Sequence, residues 1–262
     1  METMEKATQV AAIYDVHGNL PALEAVLSDL GRVGPDLVVV GGDVASGPMP
    51  VEVLDCLEGL GDRVRWVRGN ADREVVSAYD GGRPAIEARM SQPALAMDGW
   101  AADRIDERHR DLLASFRERV VVEVEGLGEV LFCHATPRSD EEIVTTATPD
   151  GRLRGILAGV EQGVVVCGHV HTQYDRRVDG KRMVNAGSVG LPYQGEPVGA
   201  FWALLGPGGV ELRRSDYDLR GSVEACRAMG YPAAEDMTES LLEPPDPAWV
   251  ADFFERQAGD RS

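Results

Sequence analysis

Val10-Ala11-Ala12-Ile13-Tyr14-Asp15-Val16-His17-Gly18-Asn19 is a short apolar run that stops abruptly on two metal-ligand residue types. Behind it, apolar residues at 20, 23, 26, 27 and 30 recur with a helical period over Leu20 to Leu30. The same rhythm repeats twice. Asp36 to Val40 is a β-branched run closed by Gly41-Gly42-Asp43 and followed by a second helix from Pro50 to Leu60, with proline near its start. Val64 to Val67 is closed by Gly69-Asn70. Strands that are continuously apolar and separated by helices predict a buried, mainly parallel sheet in an α/β fold.

Downstream, residues 73–117 are polar and helical, interrupted by Gly81-Gly82 and Pro93, with Trp100 to Phe116 the strongest helix. The chain then turns strand-rich: Val120 to Val124, Val130 to Cys133, Val164 to Cys167, Gln173 to Val178, Arg182 to Asn185 and Ala200 to Leu205, with 209–216 placed to pair with the last. Residues 221–262 read as a helical tail whose last residues fray. No repeat or linker divides the chain, so the expectation is one domain over 1–262 with a cap-like helical insertion at 73–117.

The 262 residues carry 44 acidic against 26 basic side chains, a net charge of -18. Such a field repels nucleic-acid polymers and anionic membranes, whose affinity for proteins comes largely from Lys and Arg. A small phosphate ester stays compatible, because bound cations invert the potential locally. Cys56, Cys133, Cys167 and Cys226 have no paired spacing and sit mostly beside apolar runs, which predicts free buried thiols in a reducing compartment. The first residues, METMEKATQV, lack a charged-then-apolar signal, and no apolar stretch approaches spanning length. The expectation is a cytoplasmic protein; a homo-oligomer is compatible with the sequence.

Chemistry-bearing residues coincide with the strand ends, where α/β sheets place their ligands. Asp15 and His17 follow the first strand, Asp43 the second, Asn70 the third, His134 a later one, and His169 and His171 another. An extended Asp-x-His puts both side chains on one side. Asp43 adds a carboxylate able to bridge two ions, Asn70 a neutral oxygen, and three more imidazoles complete the set. Seven ligands exceed one ordinary site and suit two adjacent cations; mixed imidazole and carboxylate donors favour Mn first, with Fe, Zn or Ni as alternatives, over Ca or Mg. Two such ions ~3.5–4 Å apart activate a bridging water and clamp an in-line displacement, which predicts hydroxide attack on phosphorus. Either Asp-x-His or His-x-His alone would be an ordinary turn or strand, but four of the five histidines fall in the joint pattern. His109, in Glu107-Arg108-His109-Arg110, reads as solvated. There is no P-loop, no GxGxxG at the first strand, and Gly187-Ser188-Val189-Gly190 is not a nucleophile elbow.

The ordered set Asp15-x-His17, Gly42-Asp43, Gly69-Asn70, His134 and Gly168-His169-x-His171 resembles the calcineurin-like metallophosphoesterase superfamily. Asn185 to Pro192 further resembles a segment of its small prokaryotic, YfcE-like group. That resemblance implies a four-layer α-β-β-α sandwich and a dinuclear site. It assigns Asp15, His17, Asp43 and His171 to one metal, and Asp43, Asn70, His134 and His169 to the other. It also implies a phosphodiesterase or phosphatase acting on small, nucleotide-like esters, with Asp43, Asn70 and His134 catalytic. Arg138 near His134, Asp72 near Asn70, and Ser188 in a glycine turn that would equally be structural are candidate substrate contacts. Two positions depart from the pattern: Ala71 stands where many members carry a His that assists the leaving group, and Tyr193 where relatives often carry Arg. The rival expectations are a non-catalytic scaffold of the same fold, which would be expected to lose ligands, and a phosphoprotein phosphatase.

Overall fold

The computed structural model describes residues 4–82 and 92–260. Two sheets pack face to face. In the first, β2 (Val10–Ile13), β3 (Leu37–Val40) and β4 (Val64–Trp66) run parallel, and β10 (Ala200–Gly206) and β11 (Gly209–Ser215) extend the β2 side antiparallel. The second has the order β1 (Lys6–Ala7), β5 (Arg119–Val124), β6 (Gly128–Cys133), β7 (Val164–Cys167), β9 (Lys181–Asn185), β8 (Tyr174–Val178), with β6, β7 and β9 parallel.

Why the strands read as unbroken apolar runs is visible in where alternate residues go. Val10, Ala12 and Tyr14 point between the sheets, against Val122, Val130, Phe132 and Val166. Ala11 and Ile13 point the other way, into helices. Those helices are α1 (Leu20–Val33), α2 (Pro50–Glu58), α3 (Asn70–Tyr79), α4 (Gln92–Ala102) and α5 (Glu107–Ala114). On the far side, Leu131, Val165 and Met183 meet Leu153 and Ile156 of α6 (Asp150–Ile156) and Phe254 of α9 (Pro247–Asp260). The result is the expected α-β-β-α sandwich. Helices α7 (Leu219–Ala228) and α8 (Ala234–Leu242) form a smaller cluster with Met97, Trp100 and Leu191. No helix among the described residues is long and apolar enough to cross a membrane.

The local signals are mostly those expected. Asn19 caps α1 by accepting from Ala22 N, and Gly34 closes it at φ 69°. The four cysteines are free, three buried and Cys56 half-buried. Residues 83–91 of the expected helical insertion, and 261–262, where fraying is expected, lie outside the described residues.

Two expectations are corrected. Trp100 to Phe116 is not one helix: α4 ends at Ala102, and Asp106 starts α5 by accepting from His109 N. A side-chain cap there offers the backbone a better partner than continuation of the helix. His109 is not solvated but 3% exposed, its ring held between Asp106 Oδ1 at 2.8 Å and Asp55 Oδ1 at 3.1 Å. Its charged neighbours hid a face shared with Ile105 and Leu113, both buried.

Close loop packing makes a glycine test available. A Cβ on Gly190 would lie 1.8 Å from Val16 O, whereas one on Gly155, in α6, would meet nothing within 4 Å. Gly190→Ala is expected to lose at least about 1–3 kcal/mol, and Gly155→Ala to gain about 0.5–1 kcal/mol, read as shifts of the urea midpoint at constant m.

Candidate metal centre

The loops beyond the strand ends carry most of the unusual backbone. Among the described residues, six non-glycine positions have positive φ, and five are Asp15 (53°), His17 (45°), Asp43 (52°), His169 (72°) and His171 (56°). Each costs of order 1–3 kcal/mol and persists only where the surroundings over-determine it. The extended Asp-x-His reading therefore reaches the right juxtaposition for the wrong reason: left-handed turns, not a strand's two-residue period, bring the side chains together. Hydrogen bonds between loops hold the turns, with Asp15 N donating to Gly42 O and His17 N to Asp43 O. The loops can touch because Gly69 and Gly168 lack side chains; a Cβ would fall 2.1 Å from Asp43 Oδ1 and 2.4 Å from Asp15 Oδ2 respectively.

Five of the seven ligand-type side chains have one polar atom tied down and one aimed inward. Asp15 Oδ2 accepts from His169 N at 2.9 Å, while its Oδ1, fully buried, has no hydrogen-bond partner. Asp43 Oδ1 accepts from Ala71 N at 2.8 Å, leaving Oδ2 facing the histidines. The Nδ1 atoms of His17, His134 and His171 face the carbonyls of Ser46, Gly41 and Leu191 at 3.0, 2.9 and 2.6 Å. With those Nδ1 protons donated outward, their Nε2 atoms face the centre. His169 instead turns Nδ1 toward the Asn70 amide.

Two groups result: Asp15, His17 and His171, and Asp43, His134 and His169, each with donor atoms within 4.8 Å of one another. Asp43 Oδ2 lies between them, 3.9 Å from His17 Nε2 and 3.4 Å from His134 Nε2. His17 Nε2 and His171 Nε2 are 3.1 Å apart. Asn70 Oδ1 is 3.2 Å from His134 Nε2 and faces only acceptors. Nitrogen and oxygen ligand atoms crowded around a buried carboxylate oxygen that accepts no hydrogen bond are what a cation would satisfy.

The charge balance agrees. Burial opposes ionisation of Asp43, yet His134, His17 and His169 hold its carboxyl well below the usual range. Burial likewise pushes His134 down, but Asp43 and then Asp15 overcome it and raise the imidazole to about 10. His169 is pushed down to about 4 by burial and by the neighbouring His134.

The candidate substrate contacts occupy different surroundings. Asp72 is wholly buried and accepts from three backbone N–H groups, those of Asp43, Val44 and Gly69, so it clamps two ligand loops together. Ser188 is also wholly buried, donating to Asp15 O and accepting from Leu191 N. Arg138 is exposed and paired with Glu142, and Arg73 is paired with Asp140, Glu141 and Glu74. Both arginines line a cavity of about 370 Å³ beside His134, with Arg68 and Arg119. Tyr193 stacks on His171 at 4.8 Å, and burial pushes its hydroxyl up to about 12.

The sequence reading missed Ser46 and Asp98. Ser46 accepts from His17 through its carbonyl and donates through Oγ to Asp98 Oδ1 at 2.6 Å. Asp98 is 2% exposed and its Oδ2 lacks a partner. Burial first, then the charges of Asp43, Glu74 and Asp72 against the Ser46 hydrogen bond, push its carboxyl up to about 7. Only an acid among the apolar and small residues of 94–101 hinted at it.

The profile of the calcineurin-like phosphoesterase superfamily domain matches residues 9–204, which span every one of these ligand loops. The chain belongs to that superfamily. It is 32% identical over 134 residues to a symmetrical bis(5'-nucleosyl)-tetraphosphatase of Erwinia tasmaniensis, covering 49% of this chain and 45% of the relative, so the chain matches under half of that protein's length. It is 25% identical over 234 residues to an uncharacterised protein of Methanocaldococcus jannaschii, covering 83% of this chain and 91% of the other. Among solved structures, a metallophosphoesterase from Sphaerobacter thermophilus aligns at TM-score 0.69 and 25% identity over 89% of this chain and 98% of that one. A hypothetical protein of Pyrococcus horikoshii, at TM-score 0.76 and 21% identity over 90% and 97% of the two chains, shares the fold.

The superfamily member should reveal Asp98 in its stability profile. Its folded pKa is raised above the unfolded value, so between about pH 4 and 7 the native state binds the extra proton and stability falls as pH rises. Asp98→Asn removes that slope while keeping an acceptor for Ser46. The variant's advantage in thermal melts is expected to grow from pH 4 to pH 7 and stay level above it.

Proposed function

We propose that the protein is a dinuclear-metal-dependent hydrolase of small phosphate mono- or diesters. The carrying observation is Asp43: one carboxylate oxygen within 4 Å of an imidazole from each of the two ligand groups. Asp15, His17, Asp43 and His171 would hold one cation, and Asp43, Asn70, His134 and His169 the other. The donor set fits Mn first, and Fe, Zn or Ni next.

Two bound cations supply Lewis-acid polarisation of the phosphoryl group and a template for in-line displacement. The chain's own residues set that up. The two carboxylates only partly offset two divalent charges, so the centre attracts a phosphate despite the overall charge of -18. Carbonyls of Ser46, Gly41 and Leu191 fix three imidazoles in the tautomer that offers Nε2. Asp72 ties the Asp43 loop to the Asn70 loop, and Ser188 ties the Asp15 loop to the 185–191 segment. The names of the partial relatives, a bis(5'-nucleosyl)-tetraphosphatase and the phosphodiesterase YfcE, support the ester class. The complete ligand set argues against a scaffold that has shed its chemistry.

Activity is tested on EDTA-stripped protein reloaded with Mn, Ni, Zn, Fe or Mg and offered p-nitrophenyl mono- and diesters. Turnover is expected to vanish on stripping, return with a transition metal, and stay absent in Asp43→Asn. Full turnover in EDTA, or normal turnover by that variant, would contradict the reading.

Metal binding also has to displace the proton that Asp43 keeps on His134. His134 is raised to about 10 while His169 is lowered to about 4. At pH 7–8, binding is therefore expected to release about one proton, with affinity rising as pH rises. Calorimetry in two buffers of different ionisation enthalpy measures it.

A further inference from the structure

Five aromatic rings run outward from the centre in an unbroken series. His171 stacks on Tyr193 at 4.8 Å, Tyr193 lies 6.5 Å from Phe254, and Phe254 meets Phe253 edge-on at 5.8 Å. Phe253 stacks on Trp249 at 5.3 Å with their planes 13° apart. The last two belong to α9 and are 44% and 60% exposed, the largest exposed aromatic surface among the described residues. They are not remote from the chemistry. One cavity of about 670 Å³ is lined both by Asp43, Asn70, His169 and His171 and by Trp249 and Phe253. That volume falls within the range of small-molecule sites.

Resting on the phosphoesterase reading above, we propose that Trp249 and Phe253 form a stacking platform for the base of a nucleotide whose phosphate sits at the metal centre. The nearly parallel pair offers a flat face, which suits a planar aromatic ring; a cage for a compact cation needs rings set around it at angles. The rest of the wall fits the same ligand. Asp236, Glu239 and Glu243 line this cavity. Carboxylates accept from ribose hydroxyls and exocyclic amines, and they repel a second phosphate.

The test measures equilibrium binding of adenosine 5'-monophosphate and ribose 5-phosphate to the metal-loaded full chain. Wild type is expected to prefer the nucleotide by about 5–150-fold, the range that stacking of one base supplies. Trp249→Ala and Phe253→Ala should each shrink that preference, and Trp249→Phe should restore most of it, while ribose 5-phosphate binding stays unchanged. Trp249 is exposed enough for its truncation to leave the fold intact. No preference in wild type, or one that survives Trp249→Ala, overturns the proposal. So does tighter binding of phosphocholine than of the nucleotide. A wild-type dimer in light scattering that Trp249→Ala converts to monomer, with nucleotide preference intact, assigns the rings to contact between copies instead. Absence of metal-dependent turnover alongside an intact preference would overturn the hydrolase reading and leave the platform standing.

Discussion

Two carboxylates and four imidazoles, with their ligand atoms forced toward one another at the seam of two sheets, set the terms for the rest of this molecule. Such a cluster repels itself and strains its backbone, since five of its members sit in left-handed turns. The fold tolerates it by over-determining each loop. Asp72 binds three N–H groups from two loops, Ser188 and Asn19 bridge the 185–191 segment to the Asp15 loop, and glycines let the backbones touch. Buried polar groups that elsewhere would be liabilities here act as fasteners. The unpartnered Asp15 Oδ1 marks where the fastening stops and the ligand site begins.

The sandwich explains why the cluster can exist at a strand end at all. Val10, Ala12 and Tyr14 fill the space between sheets while Ala11 and Ile13 fill the helix layer, so the first strand is fixed on both faces. A strand so held projects its following loop from a rigid base, as β3 does beside it and β6 and β7 do in the facing sheet. Side chains on those loops then inherit the precision of the core.

Much of this was legible in the sequence because it depends on local pattern. Apolar runs ending in Asp15, Asp43, Asn70, His134 and His169 announced both the layered α/β fold and the convergence of ligands at one edge. What could not be read was anything set by tertiary partners. The Asp-x-His geometry was inferred from strand periodicity, whereas left-handed turns create it. His109 looked solvated because its neighbours in sequence are charged, yet its ring is enclosed by Asp55 from another helix. Asp72 looked like a substrate contact because it lies near Asn70 in sequence, and Ser188 because it sits in a glycine turn; in space each faces the backbone. The ring series from His171 to Trp249 joins segments some eighty residues apart, and the tail that supplies it carries no periodic signal of a site.

The cavity on the His134 side mixes arginines with Glu118 and Asp140, whereas the one on the α9 side mixes carboxylates with aromatic rings. Everything in that account depends on two cations sharing Asp43. The most direct measurement is anomalous diffraction at the manganese edge from Mn-soaked crystals. Two peaks about 3.5–4 Å apart are predicted, one against Asp15, His17 and His171, the other against Asn70, His134 and His169, with Asp43 touching both. A single peak, or density only at the surface group of Asp55, Glu58 and His109, would contradict it.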